Sequence, residues 1–79
     1  MSHVVTLLGK PGCHLCDVAR EVIARVAGEL GAVWEERDVR ADPDDLIEYA
    51  ERIPVILIDG REHGHFRVEE DRLRKALSS

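Results

Sequence analysis

The sequence lacks an excess of positive charge and has no long apolar run. Its 79 residues contain 11 Lys and Arg against 16 Asp and Glu, which gives a formal net charge of −5. Because nucleic-acid binding needs a basic face for the phosphates, this composition argues against a nucleic-acid partner. No apolar stretch approaches the roughly 18 residues that a membrane-spanning helix needs, so we expect no membrane partner either.

Cysteine is also scarce, because Cys13 and Cys16 are the only two in the chain. Two cysteines do not make a structural disulfide framework, and a bond closing so short a loop would constrain the unfolded chain little. The start of the sequence, Met1-Ser2-His3-Val4, has no basic region of the kind that opens a signal peptide. We therefore expect a cytoplasmic protein that uses its two thiols for chemistry.

The composition that is present indicates one small globular domain. Apolar residues make up 44% of the chain and charged residues 34%, values that are ordinary for a soluble protein. The length is near the lower end of what one hydrophobic core can stabilise. We predict a single domain over residues 1–79 and a monomer, with Trp34 and Phe66 as packing residues.

Strand and helix patterns alternate along the chain. Apolar residues recur every three or four positions from Leu15 to Leu30, which predicts a helix that ends with Gly31 as a left-handed cap. Asp42-Pro43 marks the start of a short helix, and Asp59-Gly60 is a turn signal. The predicted elements are a strand at 4–8, the long helix, a strand at 33–39, the short helix from 42, strands at 54–58 and 63–68, and a closing helix from 69.

The order βαβαββα predicts an α/β fold with a small four-stranded mixed sheet flanked by three helices. The first two strands are joined by a helix, so they should be parallel with a right-handed crossover. The last two strands should form a hairpin. If the third strand runs antiparallel to the first, its beginning lies beside the end of the first strand, next to Cys13.

The sequence Cys13-His14-Leu15-Cys16 lies where the first strand has ended and the long helix begins. Two thiols separated by two residues on the first turn of a helix can touch, form a disulfide and reopen. The unpaired N–H groups and partial positive charge of the helix N-terminus favour the thiolate form of the first thiol. The spacing therefore predicts a redox-active dithiol.

A strand, a CxxC motif that opens a helix, and a strand-initial proline before a hairpin together resemble the thioredoxin fold. In its short length, the chain resembles proteins of the glutaredoxin branch of that fold. The matching residues are Pro11-Gly12-Cys13-His14-Leu15-Cys16 and, later, Ile53-Pro54-Val55 followed by Asp59-Gly60. The resemblance spans essentially the whole chain.

The resemblance implies roles for individual residues. Cys13 would be the nucleophile and Cys16 the resolving thiol, and Ile53–Pro54 would be a cis peptide that faces them. Lys10 and Arg40 would bind glutathione, since glutaredoxins use a lysine before the motif and a basic or amide residue after the second strand.

Topology adds Arg52 and Arg67 to the cations expected near the dithiol. Such cations can hold Cys13 as a thiolate and bind the carboxylates of glutathione or of a partner. Glutaredoxins usually have an aromatic residue between the cysteines, whereas this chain has His14-Leu15. We predict that His14 tunes the reactivity of the dithiol.

The predicted function is dithiol thiol–disulfide exchange that reduces protein disulfides or glutathione mixed disulfides. No bound cofactor is expected; glutathione is a possible co-substrate, and glutathione or a reductase would donate the electrons. Two other classes use the same thiols: a metal or iron–sulfur binding module, and a redox-sensing adaptor. A zinc set of Cys13, Cys16, His63 and His65 is disfavoured because His63 is expected to begin the fourth strand, at the sheet end away from the cysteines.

We expect the Cys13/Cys16 couple to have a reduction potential above that of thioredoxin, which is about −270 mV. A stabilised Cys13 thiolate is a better leaving group, and the partly cationic His14 beside it adds to this effect. Equilibrating the protein with glutathione redox buffers measures the midpoint. A midpoint at or below that of thioredoxin would contradict the expectation.

Overall fold

A computed structural model describes residues 3–78 of the chain. The predicted domain of residues 1–79 also includes Met1, Ser2 and Ser79, which lie outside the described residues. The strands are β1 (Val4–Gly9), β2 (Val33–Asp38), β3 (Val55–Ile58) and β4 (Arg61–His65), and the helices are α1 (His14–Leu30), α2 (Pro43–Tyr49) and α3 (Glu70–Leu77). Short 3₁₀ turns at Val39–Ala41 and Ala50–Arg52 flank α2.

The four strands form one mixed sheet in the order β2-β1-β3-β4. β1 pairs in parallel with β2 and antiparallel with β3, and β3 and β4 form an antiparallel hairpin. The predicted order of elements, the parallel first pair and the closing hairpin are therefore confirmed. Leu8, near the end of β1, lies opposite Val55 at the start of β3, which is the arrangement that the topology argument required.

Local sequence signals set the ends of several elements. Gly31 has a φ of 69° and caps α1, a left-handed conformation in which glycine avoids the steric penalty of a side chain. The Asp42 carboxylate accepts a 2.8 Å hydrogen bond from the N–H of Asp44 and caps α2. These two predictions are confirmed by the structure.

The predicted bounds of the fourth strand, 63–68, are wrong. The Asp59-Gly60 turn, with φ of 53° and 84°, pairs Ile58 directly with Arg61, so β4 begins two residues earlier than predicted. The strand ends at His65, because Phe66 has a φ of 66° and leaves the extended conformation.

The position predicted for His63 within that strand is also wrong. His63 does not begin β4; it lies at a register shift where Glu62 is opposite Leu57 and Gly64 is opposite Ile56. His63 is the extra residue of a β-bulge, because β4 has one more residue than β3 between the pair Leu57–Glu62 and the pair Ile56–Gly64.

The sheet is covered on both faces. On one face β1 residues Val5 and Leu7 pack with Ile56 and with the buried sides of α1 and α3. On the other face Leu8 packs with Val55, Leu57, Tyr49 and Ile53. This alternation along β1 explains why its sequence is a continuous apolar run.

Ion pairs join the two helices on the first face. Glu70 of α3 accepts from Arg25 of α1 at 2.8 Å and from Arg74 at 2.8 Å, and Arg74 also reaches Glu29 of α1. Within residues 3–78, no helix has the length and apolar character required to cross a membrane.

We expect Ile23→Ala to lower the free energy of unfolding by about 2–5 kcal/mol, because it removes a fully buried side chain between sheet and helix. Ile47→Ala is the matched control: it makes the same change in a helix, but at a side chain that is 85% exposed. That control should change stability by no more than about 0.5 kcal/mol. Urea denaturation measures both values, and equal losses would contradict the assigned core.

Candidate functional site

The dithiol lies at the N-terminus of α1. Cys13 is the N-cap residue of the helix, and its Sγ accepts a hydrogen bond from the backbone N–H of Cys16 at 3.2 Å. Gly12 precedes it with a φ of 79°, so the chain turns sharply between the end of β1 and the helix. The first sulfur is thus held where the helix presents unpaired donors, an arrangement that stabilises negative charge.

The two thiols differ in their surroundings. Cys13 is half-buried, whereas Cys16 is fully buried. Burial, followed by the hydrogen bond with Cys13, raises the pKa of the Cys16 thiol to about 11. A backbone hydrogen bond with Lys10 and the charge of Arg20 oppose this rise. At neutral pH the Cys16 thiol is therefore protonated, and it lies buried behind the more accessible sulfur of Cys13.

Gly9 provides the space for the buried sulfur. A Cβ atom on Gly9 would lie 2.8 Å from Cys16 Sγ, which is closer than real contacts allow. The last residue of β1 thus sets how near Cys16 approaches the strand.

The loop before β3 reaches the same edge of the sheet. The Ile53–Pro54 peptide is cis, as the resemblance implies, and Pro54 is buried. The Pro54 carbonyl accepts a 2.8 Å hydrogen bond from the N–H of Phe66, so the residue after β4 is fixed beside the proline.

Two of the cations predicted near the dithiol, Arg40 and Arg52, form ion pairs within the chain. Arg40 donates to Asp38 at 2.8 and 3.0 Å, and together with the Arg40 backbone N–H this lowers the pKa of Asp38 to about 2. Arg52 binds Glu62 at 3.1 Å and lies 5.6 Å from the centre of the Tyr49 ring. Both arginines are thus held by neighbours of their own chain.

Lys10, Arg67 and His14 remain exposed. Neither Lys10 nor Arg67 forms a side-chain ion pair with another residue in the range 3–78. Lys10 lines a groove of about 320 Å³ on the β2 side of the motif, together with Pro11 and Arg37. Arg67 lines a groove on the opposite side, together with Leu15.

Sequence reasoning missed two features of the site. Arg20 lies one turn after Cys16 and binds Glu36 through Nε at 2.6 Å and Asp17 through Nη1 at 2.8 Å. These carboxylates raise the pKa of Arg20 and fix a cation beside the buried thiol. The i, i+3 spacing of Asp17 and Arg20 was the available signal.

The second missed feature is apolar and surrounds the first turn of α1. Leu15 and Val18 belong to the helical pattern of apolar residues, yet they are 47% and 46% exposed. Phe66, predicted as a packing residue, contacts the His65 ring but is 46% exposed and lines the same groove. Trp34, in contrast, packs against the core as predicted.

No group of three or more His, Cys, Asp or Glu side chains converges as a metal site among the described residues. His65, not His63, is the strand residue opposite Val55 at the dithiol edge, and its Nδ1 lies 3.3 Å from Glu62.

The model of the glutaredoxin-like domain (DUF836) matches residues 4–78. The chain belongs to this glutaredoxin-like family. Uncharacterized proteins of Mycobacterium tuberculosis and Mycobacterium bovis are each 39% identical over 79 residues, which covers 94% of this chain and 81% of each relative. An X-ray structure of target protein XcR50 from X. campestris is 32% identical with a TM-score of 0.73, covering 94% of this chain and 95% of that one.

Two solved structures with lower sequence identity to this glutaredoxin-like chain show only that the fold is shared. A mutant thioredoxin from Halobacterium salinarum is 21% identical with a TM-score of 0.69, covering 98% of this chain and 73% of that one. The holo form of glutaredoxin C1 from Populus tremula x tremuloides is 19% identical with a TM-score of 0.56, covering 90% and 70%. Together these matches confirm the predicted thioredoxin fold of the glutaredoxin-like type.

We expect iodoacetamide at pH 8 to label Cys13 of the native reduced protein well before Cys16. With a pKa of about 11, only about one part in a thousand of Cys16 is thiolate at that pH, and its side chain is buried. The labelling rate of Cys16 should rise about tenfold per pH unit toward pH 11. Peptide mass spectrometry measures both sites, and urea-denatured protein is the control. Equal labelling of the two cysteines in the native protein would contradict the assignment.

Proposed function

We propose that the protein is a thiol–disulfide oxidoreductase that uses Cys13 as nucleophile and Cys16 as resolving thiol. The observation that carries this proposal is the hydrogen bond from the Cys16 N–H to Cys13 Sγ at the helix N-terminus, with the Cys16 thiol buried behind it. One accessible and one buried sulfur on the same helical turn suit a two-step exchange.

In the first step the Cys13 thiolate attacks one sulfur of a substrate disulfide. A mixed disulfide between Cys13 and the substrate forms, and the other substrate sulfur leaves as a thiolate that takes up a proton. In the second step Cys16 loses its proton and attacks Cys13 Sγ, and the substrate thiolate is released. Two electrons have then passed to the substrate, and Cys13–Cys16 is a disulfide.

Formation of the mixed disulfide favours the second step. In the reduced protein, the hydrogen bond and the charge of Cys13 both raise the pKa of Cys16. Once Cys13 is bonded to the substrate, its negative charge is gone, so Cys16 loses its proton more easily. The positive charge of Arg20 acts in the same direction.

The surroundings of the dithiol supply contacts for the substrate. The Ile53–Pro54 loop lies at the sheet edge where β1 ends and would offer its backbone to the substrate, and Lys10 and Arg67 are the cations available for carboxylates. Arg40 would bind a substrate carboxylate only by exchanging Asp38 for it, since its guanidinium already holds that residue. We propose protein disulfides or glutathione mixed disulfides as substrates, with glutathione or a reductase as the electron donor in the cytoplasm.

We expect Cys13→Ser to reduce the rate to background with both a glutathionylated peptide and a protein disulfide, because the attacking sulfur is lost. Without added thiol, Cys16→Ser should complete the first step and accumulate a mixed disulfide on Cys13, because the internal resolving thiol is absent. Coupled assays with glutathione or with thioredoxin reductase as donor measure turnover. Intact-mass spectrometry detects the trapped species.

The controls for these variants are their unfolding transitions, which should match that of the wild type. Full activity of Cys13→Ser would contradict the proposal. A purified protein that contains stoichiometric iron or zinc bound by the two thiols would instead support a metal-binding module.

A further inference from the structure

A continuous groove leads away from the dithiol between α1, the end of β4 and the start of α3. Its inner part, about 270 Å³, lies between Leu15 and Val18 of α1 and the segment 66–69. Its outer part, about 540 Å³, lies along β4 toward Arg72. Phe66, Arg67 and Glu69 line both parts, so the two parts are adjacent, and the inner part reaches Leu15 of the CxxC motif.

The inner part of this groove is apolar and held in place. Leu15, Val18 and Phe66 are each nearly half exposed, although the core nearby is fully packed. Phe66 is fixed by the hydrogen bond from its N–H to the Pro54 carbonyl and by edge-on contact with the His65 ring, at 4.8 Å between centroids. A preformed apolar surface of this kind fits an apolar side chain of a partner.

The outer part carries cations that the rest of the chain does not neutralise. Within residues 3–78, Arg67 and Arg72 make no ion pair, whereas most arginines do: Arg20, Arg25, Arg37, Arg40, Arg52 and Arg74. Arg72 packs closely over Gly64, where an added Cβ would lie 3.3 Å from its Nη1. The guanidinium therefore lies near the strand, and Arg72 is one of the residues that line the groove.

The acidic residues that line the outer part do not cancel these cations. Glu62 is already bound by Arg52 at 3.1 Å, which leaves Glu69 as the opposing carboxylate. At His63, burial and the charge of Arg72 lower the pKa of the imidazole, and Arg72 contributes more than Glu69 does in the opposite direction. Along the outer part, the two unpaired arginines thus face one carboxylate that no arginine binds within residues 3–78, in a chain whose net charge is −5.

We propose that this groove binds an acidic segment of a disulfide-bearing protein substrate, with an apolar residue of that substrate seated on Leu15 and Phe66 and its carboxylates on Arg67 and Arg72. The inference rests on the proposed function, because it names the substrate class for the same dithiol. Glutathione has carboxylates but no apolar side chain, so it would leave the inner part of the groove empty. The chemistry of the whole path favours a protein segment.

The overall charge of the protein makes the prediction specific. A chain with a net charge of −5 repels an acidic peptide at long range, so any preference for such a peptide must come from local contacts. A faster reaction with an acidic substrate than with its neutral counterpart is thus the signature of the groove.

The test uses two symmetric peptide dimers, each linked by one disulfide and each with a leucine next to the cysteine. In one dimer each peptide carries three glutamates further along its sequence, and in the other dimer each peptide carries three glutamines at the same positions. We expect the reduced wild-type protein to react about three to ten times faster with the glutamate dimer in single-turnover experiments at low salt. The ratio should fall toward one in 0.5 M NaCl.

Arg72→Gln should lower the ratio about threefold, because it removes one exposed charge contact. Arg61→Gln is the matched control: it makes the same change at an arginine of β4 that also lacks an ion pair in the described chain but lies outside the groove lining. It should keep the wild-type ratio. Glutathione disulfide is a third substrate, and its rate should be little affected by Arg72→Gln.

Three results would overturn the proposal. They are a ratio of one or less in the wild type, an equal fall in Arg61→Gln, and a loss with glutathione disulfide as large as that with the glutamate dimer. The last result would assign the cations to glutathione.

A binding measurement separates this inference from the proposed function. Fluorescent monomers of both peptides, with serine in place of cysteine, are titrated with wild type and Arg72→Gln and followed by anisotropy. Tighter binding of the glutamate monomer to the wild type alone supports the groove even if no disulfide is reduced. Equal binding of both monomers contradicts it, whereas inactivity with every disulfide counts against the dithiol chemistry only.

Discussion

The pairing of β1 with β3 is the constraint on which the site depends. Because β3 runs antiparallel to β1, with Leu8 opposite Val55, the proline loop arrives where β1 ends and α1 begins. The β3–β4 hairpin then brings His65 to the same edge, opposite Val55. Ile56 packs on one face of the sheet, and Val55 and Leu57 pack on the other. A shift of this register by one residue would exchange these side chains between two packed faces that differ in shape, so the packing of both faces holds the proline loop in place.

Charge around the dithiol is arranged in two different ways. On one side of α1, Arg20 is held by Asp17 and Glu36 and is a fixed local charge beside Cys16. Lys10 and Arg67 have no such partners within residues 3–78 and flank the motif in separate grooves. Arg20, which is ion-paired, can influence the thiols, whereas Lys10 and Arg67 are available to bind a ligand.

Sequence reasoning predicted what depends on neighbours along the chain. The helix cap at Gly31, the cap at Asp42 and the CxxC pair at a helix start each need only a few adjacent residues, and the order of elements followed from them. The bulge at His63 and the left-handed Phe66 were not predictable, because they arise from pairing with β3 rather than from local preference. The pairing of Arg52 with Glu62 was missed for a similar reason, because the fold brings these residues together from ten positions apart. The pairing of Arg40 with Asp38 was also missed, although these residues are only two positions apart along the chain.

Because Cys16 is buried, Cys13 Sγ is the sulfur that reacts with outside partners in both halves of the proposed redox cycle, oxidation by the substrate and reduction by the electron donor. With Cys16 Sγ packed against Gly9, a reductant that meets the oxidised protein can approach only Cys13 Sγ. The reductant must therefore form its own mixed disulfide at the position that the substrate occupied. Substrate and electron donor then compete for one docking surface, and the steady-state rate depends on how each of them fits it.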